Sequence, residues 1–298
     1  MAAARGCGRG TPSITRGDMM RALLLSLALL APFASAIAND DVIDTHVHLW
    51  NGEASLAEYR AKLKAAGLSV ERFGAMWFGG PNQARAGNPA DISARNDALI
   101  ALGKKHPDMI PIATVHPYDG DAALAEVTRV ASRGVKLLKI HPHTQGFDAA
   151  DPRVLTLVKH AGASGLVVLL DNASIVPADN EKLFNLALAA PKTKFIFAHM
   201  GGMGFRFWNI LALARTAEGL FAENIFFDIS GVTLFADSPV KDEYVWTIRN
   251  VGVDQVLIAS DYPQMSLAKT LEAFDKLDLT EEERAKIRSG NAKRLLGL

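Results

Sequence analysis

From residue 41 to the end of the chain, short apolar segments rich in β-branched and aromatic residues alternate with longer segments of helical pattern. The short segments recur about every 30 residues, the length of one strand–helix unit in a barrel. Several are apolar nearly throughout, as at 165–170, which is typical of strands covered on both faces. The predicted strands are 42–48, 72–78, 109–116, 135–141, 166–171, 194–199, 225–229 and 255–261. This arrangement predicts an α/β fold, a (β/α)8 TIM barrel.

Helix start signals agree with this division. Asp151 is placed as an N-cap ahead of Pro152, and an apolar stripe follows. Thr280 and Glu283 have the spacing of a capping box at the start of the C-terminal helix. The sequence therefore predicts where two of the helices between and after the strands begin.

The N-terminal segment has the pattern of a secretory signal peptide. Arg21 precedes an apolar run at 22–30, and Ala34-Ser35-Ala36 follows as a cleavage site. The alternative, a membrane anchor, is disfavoured because spanning a bilayer of about 30 Å requires about 20 apolar residues. We therefore expect residues 1–36 to be removed and the protein to be periplasmic or secreted, with no stable membrane anchor.

The mature chain is predicted to be a single domain. Translation is expected to start at Met19 or Met20, which makes 1–18 a misassigned upstream segment. After the signal peptide there is no linker, low-complexity tract or shift in composition. One TIM-barrel domain at 38–298 follows.

Composition limits the possible partners. The chain has 32 basic and 32 acidic residues without a long run of one sign, so nothing indicates a nucleic-acid surface. Its one cysteine, Cys7, lies in the segment expected to be removed, which excludes disulfides and thiolate catalysis. A small-molecule substrate and oxygen or nitrogen ligands are expected. A homo-oligomer is possible, and the sequence leaves the oligomeric state open.

Polar residues fall at the carboxyl ends of the predicted strands. In a TIM barrel these ends meet at one mouth, where the catalytic groups of this fold lie. Residues far apart in the sequence are therefore expected to share one site. They are Asp44, His46, His48, His141, Asp171, His199, Asp228 and Asp261.

The first strand contains an Asp-x-His-x-His pattern. Because side chains alternate along a strand, Asp44, His46 and His48 face the same side, into the barrel. Two imidazoles at this spacing can chelate one divalent ion, and Asp44 could accept the other ring N–H. The alternative is two structural histidines inside the barrel.

These motifs resemble the amidohydrolase superfamily, and its amidohydrolase-related branch in particular. The resemblance starts with Ile43 to His48 on the first strand and covers nearly all of the mature chain. The other matching strand motifs are Gly134 to Pro142, Phe197 to Gly202 and Ser260 to Pro263, and Gly290 to Leu296 matches the family's last helix. Four strand motifs in order at barrel spacing make the resemblance specific.

The resemblance implies roles for individual residues. His46 and His48 correspond to metal ligands, and Asp261 to a carboxylate that binds the metal and takes a proton from water. His199 corresponds to an acid–base or second-metal group. One divalent ion is implied, with zinc expected first and manganese or iron as alternatives.

The chain departs from the family pattern at the end of the fifth strand. Asp171 stands where the family usually has a histidine ligand. A carboxylate can also bind zinc, so Asp171 is expected as a fourth ligand. The alternatives are that Asp171 binds substrate, or that the metal is weakly bound or absent.

Further residues near the mouth are expected to contact substrate. Lys139 and His141 share one face of the fourth strand, and Trp77 and Arg206 follow the second and sixth. Lys139 would pair with a substrate carboxylate, or alternatively with Asp171. A carbamate bridge on Lys139 is disfavoured because the matching branch uses one metal or none.

These observations favour a hydrolase that uses a metal-activated water to cleave an amide, ester or lactone bond of a small organic substrate. The substrate is expected to be a carboxylate or a cyclic compound. Two alternatives come from the same branch: a non-oxidative decarboxylase and a metal-independent lactonase. A third is a non-catalytic periplasmic barrel that only binds ligand, which the altered fifth strand motivates.

Overall fold

In the computed structural model, which describes residues 41–217 and 223–298, parallel strands form one sheet in chain order. Each strand pairs in parallel with the next along the chain, as the (β/α)8 topology requires. The strands are β1 (Ile43–His48), β2 (Arg72–Met76), β3 (Met109–Thr114), β4 (Leu137–Ile140), β5 (Val167–Leu170), β6 (Phe195–Phe197), β7 (Ile225–Asp228) and β8 (Val256–Leu257). The predicted TIM barrel is confirmed.

Backbone hydrogen bonds from β1 to the segment that continues β8 close the barrel. The N–H of Thr45 donates to the carbonyl of Ile258 at 3.3 Å, and its Oγ1 donates to the same oxygen at 2.9 Å. Three residues further along this segment, the N–H of Asp261 donates to the carbonyl of His46 at 2.9 Å. Closure therefore brings Asp261 directly beside the first strand.

Strand alternation divides the core into two layers. Ile112, Leu169 and Ile196 pack inside the barrel, while their neighbours on the opposite strand faces pack against the helices. Leu295 and Leu296 join the inner layer. The C-terminal helix that carries these two leucines (Asn291–Leu296) therefore covers one end of the barrel and leaves the other end for the site.

Helices alternate with the strands. The predicted N-cap at Asp151 and the capping box of Thr280 with Glu283 are both confirmed. No helix within the described ranges is long and apolar enough to cross a membrane. The helices are α1 (Glu53–Ala65), α2 (Pro89–Lys105), α3 (Asp121–Ser132), α4 (Pro142–Gln145), α5 (Pro152–Ala163), α6 (Asp179–Ala189), α7 (Ile210–Ala214), α8 (Lys241–Val251), α9 (Leu267–Asp275), α10 (Glu281–Ala285) and α11 (Asn291–Leu296).

Most strands end earlier than the sequence predicts. His141, Asp171, His199 and Asp261 lie just after β4, β5, β6 and β8 instead of inside them. His199 and Asp261 both have a φ of 58°, which is incompatible with a continuing strand. The chain turns at these residues, so their side chains are carried by the loops at the mouth.

The predicted signal peptide at 1–36, the upstream start and the domain boundary at 38 lie outside the described residues. They stay predictions.

Candidate metal centre

His46, His48 and Asp261 meet at the mouth of the barrel. Oδ1 of Asp261 lies 3.2 Å from Nε2 of His48 and 3.5 Å from Nε2 of His46. Each of the three offers one ligand atom, and these atoms all lie within 4.8 Å of one another. All three residues are buried. The structure thus brings together three of the four residues that the sequence predicts as metal ligands.

The hydrogen bonds of the two imidazoles fix which nitrogen of each ring faces Asp261. Nδ1 of His48 lies 2.6 Å from the carbonyl oxygen of Phe78, and Nδ1 of His46 lies 3.0 Å from Oδ2 of Asp228. Both partners are acceptors, so each Nδ1 carries the proton and each Nε2 presents a lone pair. Two lone pairs and a carboxylate converge on one point. This donor set fits a divalent cation.

The pKa values of His46 and Asp261 favour the protonation states in which these two residues bind a metal. Burial and the charge of Lys139 lower the pKa of His46 to about 4, which keeps its imidazole neutral at pH 7. Burial raises the pKa of Asp261, but the nearby imidazoles outweigh this and hold it below its ordinary value. A neutral imidazole and an ionised carboxylate are the states that bind a metal.

Asp44 does not support the histidine rings, contrary to the sequence interpretation. Its Oδ2 accepts from the hydroxyls of Tyr59 at 2.9 Å and Ser260 at 2.6 Å, and its Oδ1 accepts from the N–H of Ser260 at 2.8 Å. Asp44 lies two residues before His46 on β1 and is therefore deeper in the barrel. It anchors Ser260, the residue that precedes Asp261.

Asp228 takes the role that was expected of Asp44. Besides His46, it contacts the loop after β6, because its Oδ1 accepts from the N–H of His199 at 3.0 Å. The same oxygen accepts from the hydroxyl of Ser230 at 2.5 Å, and Ser230 in turn lies 2.8 Å from Nδ1 of His199. The sequence placed Asp228 at the mouth without a partner and did not identify Ser230. The available signal was the Asp-x-Ser spacing, since an aspartate side chain commonly accepts from the backbone N–H two residues on, as Oδ1 of Asp228 does from Ser230 at 3.1 Å.

Asp171 lies between two histidines and outside the group of three ligands. Its Oδ2 is 3.1 Å from Nε2 of His199 and 3.4 Å from Nε2 of His141. Burial opposes the charged form of His199, but the hydrogen bond and charge of Asp171 raise the pKa of His199 to about 9. The role of Asp171 as a fourth ligand stays a prediction. Its contacts are those of the charge partner of His199.

Lys139 supplies a buried positive charge next to the ligands. Only 1% of its surface is exposed, and its Nζ lies 3.4 Å from Nε2 of His46. The ring of His199 is 5.6 Å from that of His46. Lys139, His141 and His199 therefore surround the same small region as the three candidate ligands.

The two other predicted substrate contacts lie further out. Trp77 is buried, and its Nε1 donates to Oδ1 of Asn96 on α2 at 2.9 Å. Arg206 is half-exposed and forms a two-armed ion pair with Glu243 on α8, both contacts at 2.6 Å. Both side chains thus have partners within the protein, and their roles in substrate binding stay predictions.

Solved structures with the same fold include several decarboxylases. The chain is 18% identical to 5-carboxyvanillate decarboxylase from Sphingomonas paucimobilis, with a TM-score of 0.67 over 86% of this chain and 99% of that one. It is 17% identical to 2,6-dihydroxybenzoate decarboxylase from Rhizobium, with a TM-score of 0.64 over 87% and 99%. These identities establish similarity of fold.

A third structure contains a metal. It is a dihydroxybenzoic acid decarboxylase from Polaromonas with bound manganese and the inhibitor 2-nitroresorcinol. The chain is 16% identical to it, with a TM-score of 0.62 over 87% of this chain and 97% of that one.

The Amidohydrolase family model matches residues 43–298, from the first residue of β1 to the end of the chain. This span includes the three candidate ligands and the buried residues around them. The protein is therefore an enzyme of the amidohydrolase family, with a candidate metal site formed by His46, His48 and Asp261.

Proposed function

We propose that the protein is a metal-dependent enzyme that removes carbon dioxide, without oxidation, from a small aromatic or unsaturated carboxylic acid. The observation that carries this proposal is the buried cation Lys139, whose Nζ lies 3.4 Å from a candidate metal ligand. Decarboxylases among the solved structures of the same fold support it. This order differs from the expectation from sequence, which put hydrolysis first.

The cations at the mouth suit an anionic substrate. Nζ of Lys139 lies 3.4 Å from Nε2 of His46, and the pKa of His199, raised to about 9 by Asp171, keeps that ring protonated at pH 7. A divalent ion between the three ligands would add two positive charges beside them. A substrate carboxylate among these groups would be paired with positive charge, as a buried anion requires.

One divalent ion, zinc or manganese, would be held by Nε2 of His46, Nε2 of His48 and Oδ1 of Asp261. When bound, it would polarise a substrate oxygen and withdraw electrons from the bond that breaks. Two imidazoles and a carboxylate suit zinc, and oxygen-rich surroundings also suit manganese. The manganese in the Polaromonas structure supports the second choice.

In this proposal the surrounding residues bind the acid and move one proton. Lys139 Nζ pairs with the substrate carboxylate. His199 Nε2, kept protonated by Asp171, supplies a proton to the carbon that loses carbon dioxide. The electron pair of the broken carbon–carbon bond stays on that carbon until the proton arrives.

Hydrolysis is the second candidate function. The low pKa of Asp261 keeps its carboxylate ionised, and an ionised carboxylate beside a metal can take a proton from water. The three candidate metal ligands are brought together, so nothing here supports the third alternative, a non-catalytic barrel that only binds a small molecule.

The experiment that separates these functions measures carbon dioxide and hydrolysis products in parallel. Purified protein with manganese or zinc is incubated with 2,6-dihydroxybenzoate, 5-carboxyvanillate and a lactone, dihydrocoumarin. Carbon dioxide release that is absent from the Asp261→Asn variant supports decarboxylation. Ring opening of the lactone without carbon dioxide from either acid would instead support hydrolysis.

A further inference from the structure

A single carboxylate connects the candidate ligands to the proton-carrying histidine. Oδ2 of Asp228 accepts from Nδ1 of His46 at 3.0 Å, and its Oδ1 accepts from the backbone N–H of His199 at 3.0 Å. Asp228 is fully buried, so both contacts lie in a region of low dielectric. Asp228 is therefore the shared anchor of the candidate ligand His46 and of the loop that carries His199.

The hydroxyl of Ser230 lies between this anchor and the His199 ring. Its Oγ is 2.5 Å from Oδ1 of Asp228 and 2.8 Å from Nδ1 of His199. A serine hydroxyl has one proton to donate, and an ionised carboxylate has none. Oγ–H therefore goes to Asp228, and Oγ accepts the proton that Nδ1 of His199 carries.

This direction of hydrogen bonding determines how the His199 ring is oriented. With Nδ1–H directed at Ser230, Nε2 faces Oδ2 of Asp171 at 3.1 Å. A rotation of the ring by half a turn would break both contacts. The backbone at His199 is in the left-handed region, with a φ of 58°, and its N–H is also bound to Asp228. The ring of His199 is thus held by Ser230 and Asp171, and its backbone by Asp228.

We propose that Ser230, itself held by Asp228, is a positioning residue that fixes the ring of His199 and keeps its Nε2 directed at Asp171. The effect of Ser230 on turnover rests on the proposed function of His199. Its effect on the ring does not, because the hydrogen bonds exist whatever the reaction is. Ser230 contacts none of the three candidate ligands directly, and Asp228 binds His46 through its other oxygen, Oδ2, so Ser230 should influence the ring far more than metal binding.

The test compares Ser230→Ala and Ser230→Thr with Ser289→Ala, a buried serine in the C-terminal helical segment. Nitrogen-15 NMR of histidine-labelled protein reads the ring of His199, and a chromophoric chelator measures the affinity for manganese. Turnover is followed with whichever of the probe acids is decarboxylated.

We expect Ser230→Ala to remove the slowly exchanging Nδ1–H signal of His199 and to leave the manganese affinity within about twofold. It should lower kcat roughly 10–100-fold, the range seen when a residue supporting a catalytic group is lost, with KM nearly unchanged. Ser230→Thr keeps the hydroxyl and should restore the signal and most of kcat. Ser289→Ala should change neither.

The proposal is overturned if the His199 signal in Ser230→Ala matches that of the wild type, or if manganese affinity falls as far as in Asp228→Asn. If Ser230→Ala does not fold, the same NMR comparison is made with Ser230→Cys, which retains the size but accepts hydrogen bonds weakly. If none of the probe acids is decarboxylated, the proposed function fails while the NMR result still decides the role of Ser230.

Discussion

Oδ1 of Asp261 lies 3.2 Å from Nε2 of His48, although the two residues stand at opposite ends of the domain sequence. Their contact exists because the segment after β8 pairs with β1, where the N–H of His48 donates to the carbonyl of Tyr262 at 2.7 Å. Barrel closure and metal-site assembly are therefore the same structural event. Metal affinity should report on both.

Replacing Asp261 with asparagine keeps its size but removes its charge. We expect Asp261→Asn to weaken metal affinity roughly tenfold or more and to lower kcat about 100-fold, because a metal ligand is lost and with it the ion that polarises the substrate. Competition with a chromophoric chelator and assay with the accepted substrate measure the two effects. Asp254→Asn removes a surface carboxylate 3.4 Å from Lys286 and serves as control. Equal metal affinity in both variants would contradict the site.

Metal removal should lower thermal stability. At a free metal concentration 100 times Kd, binding stabilises the folded state by about 2.7 kcal/mol. For a domain of this size that corresponds to a fall in Tm of roughly 5–10 °C on chelation. His46→Ala should have the same Tm with and without metal, whereas His160→Ala, on α5, should keep the full difference. A metal-dependent shift in His46→Ala would exclude His46 as a ligand.

The pair of His199 and Asp171 should make stability depend on pH in the metal-free protein. The folded pKa of His199, about 9, is above its ordinary value of 6.5, so folding favours the protonated ring. This stabilisation is fully present below pH 6.5 and is lost as the pH rises through 9. Its size is of the order of 3 kcal/mol. Urea unfolding at several pH values measures it, and Asp171→Asn should flatten the curve. An unchanged slope in that variant would assign the effect to other groups.

The barrel and the position of its site could be predicted from the sequence because the signals are local. Each strand is recognised from its own apolar run, and the acid or histidine at its end is recognised from position alone. Parallel strands in a closed barrel bring these ends together whatever the loops do. Position alone therefore predicts which acids and histidines share the mouth, while the choice of His46, His48 and Asp261 among them as metal ligands comes from the resemblance to the amidohydrolase family.

The hydrogen-bond partners could not be predicted, because they depend on the relative height of neighbouring strands. Asp44 and Asp228 both follow the pattern of an acid facing the mouth. Asp44 lies two residues before His46, which makes it about 6–7 Å deeper along the strand. Only the register of the folded barrel places Asp228, and not Asp44, level with the ring of His46. The position of Asp171 between His141 and His199 follows for the same reason from its place just after β5, the strand between β4 and β6.

Asn96 is a buried residue of α2 that no sequence pattern identified. Its Oδ1 accepts from Nε1 of Trp77 at 2.9 Å and from the N–H of Thr114 at 3.2 Å. Its Nδ2 donates to the carbonyl of Thr114 at 2.9 Å and to Oε1 of Glu126 at 2.8 Å. Asn96→Ala leaves these buried groups without partners and should reduce the free energy of unfolding by about 3 kcal/mol or more.

Asn209→Ala is the matched control for this loss, since Asn209 also makes several hydrogen bonds but is only part-buried. Water can replace its partners, so its loss should reduce the free energy of unfolding by about 1 kcal/mol. Urea unfolding measures both variants. Equal losses would show that burial of the network around Asn96 contributes nothing.

Gly79 lies against the ring of His48 and should be required for metal binding. Its φ is 104°, and a Cβ there would be 2.8 Å from both Cε1 and Nδ1 of His48. The ring cannot move away without breaking its hydrogen bond to Phe78. Gly79→Ala should therefore displace Nε2 of His48 and weaken metal affinity roughly tenfold.

Gly87 has a φ of 83° and no atom within 4 Å of an added Cβ, so Gly87→Ala introduces similar backbone strain without the contact. Chelator competition and urea unfolding on both variants separate the two effects: stability should fall in each, and metal affinity only in Gly79→Ala. Unchanged metal affinity in Gly79→Ala would mean that the orientation of His48 is not what holds the ion.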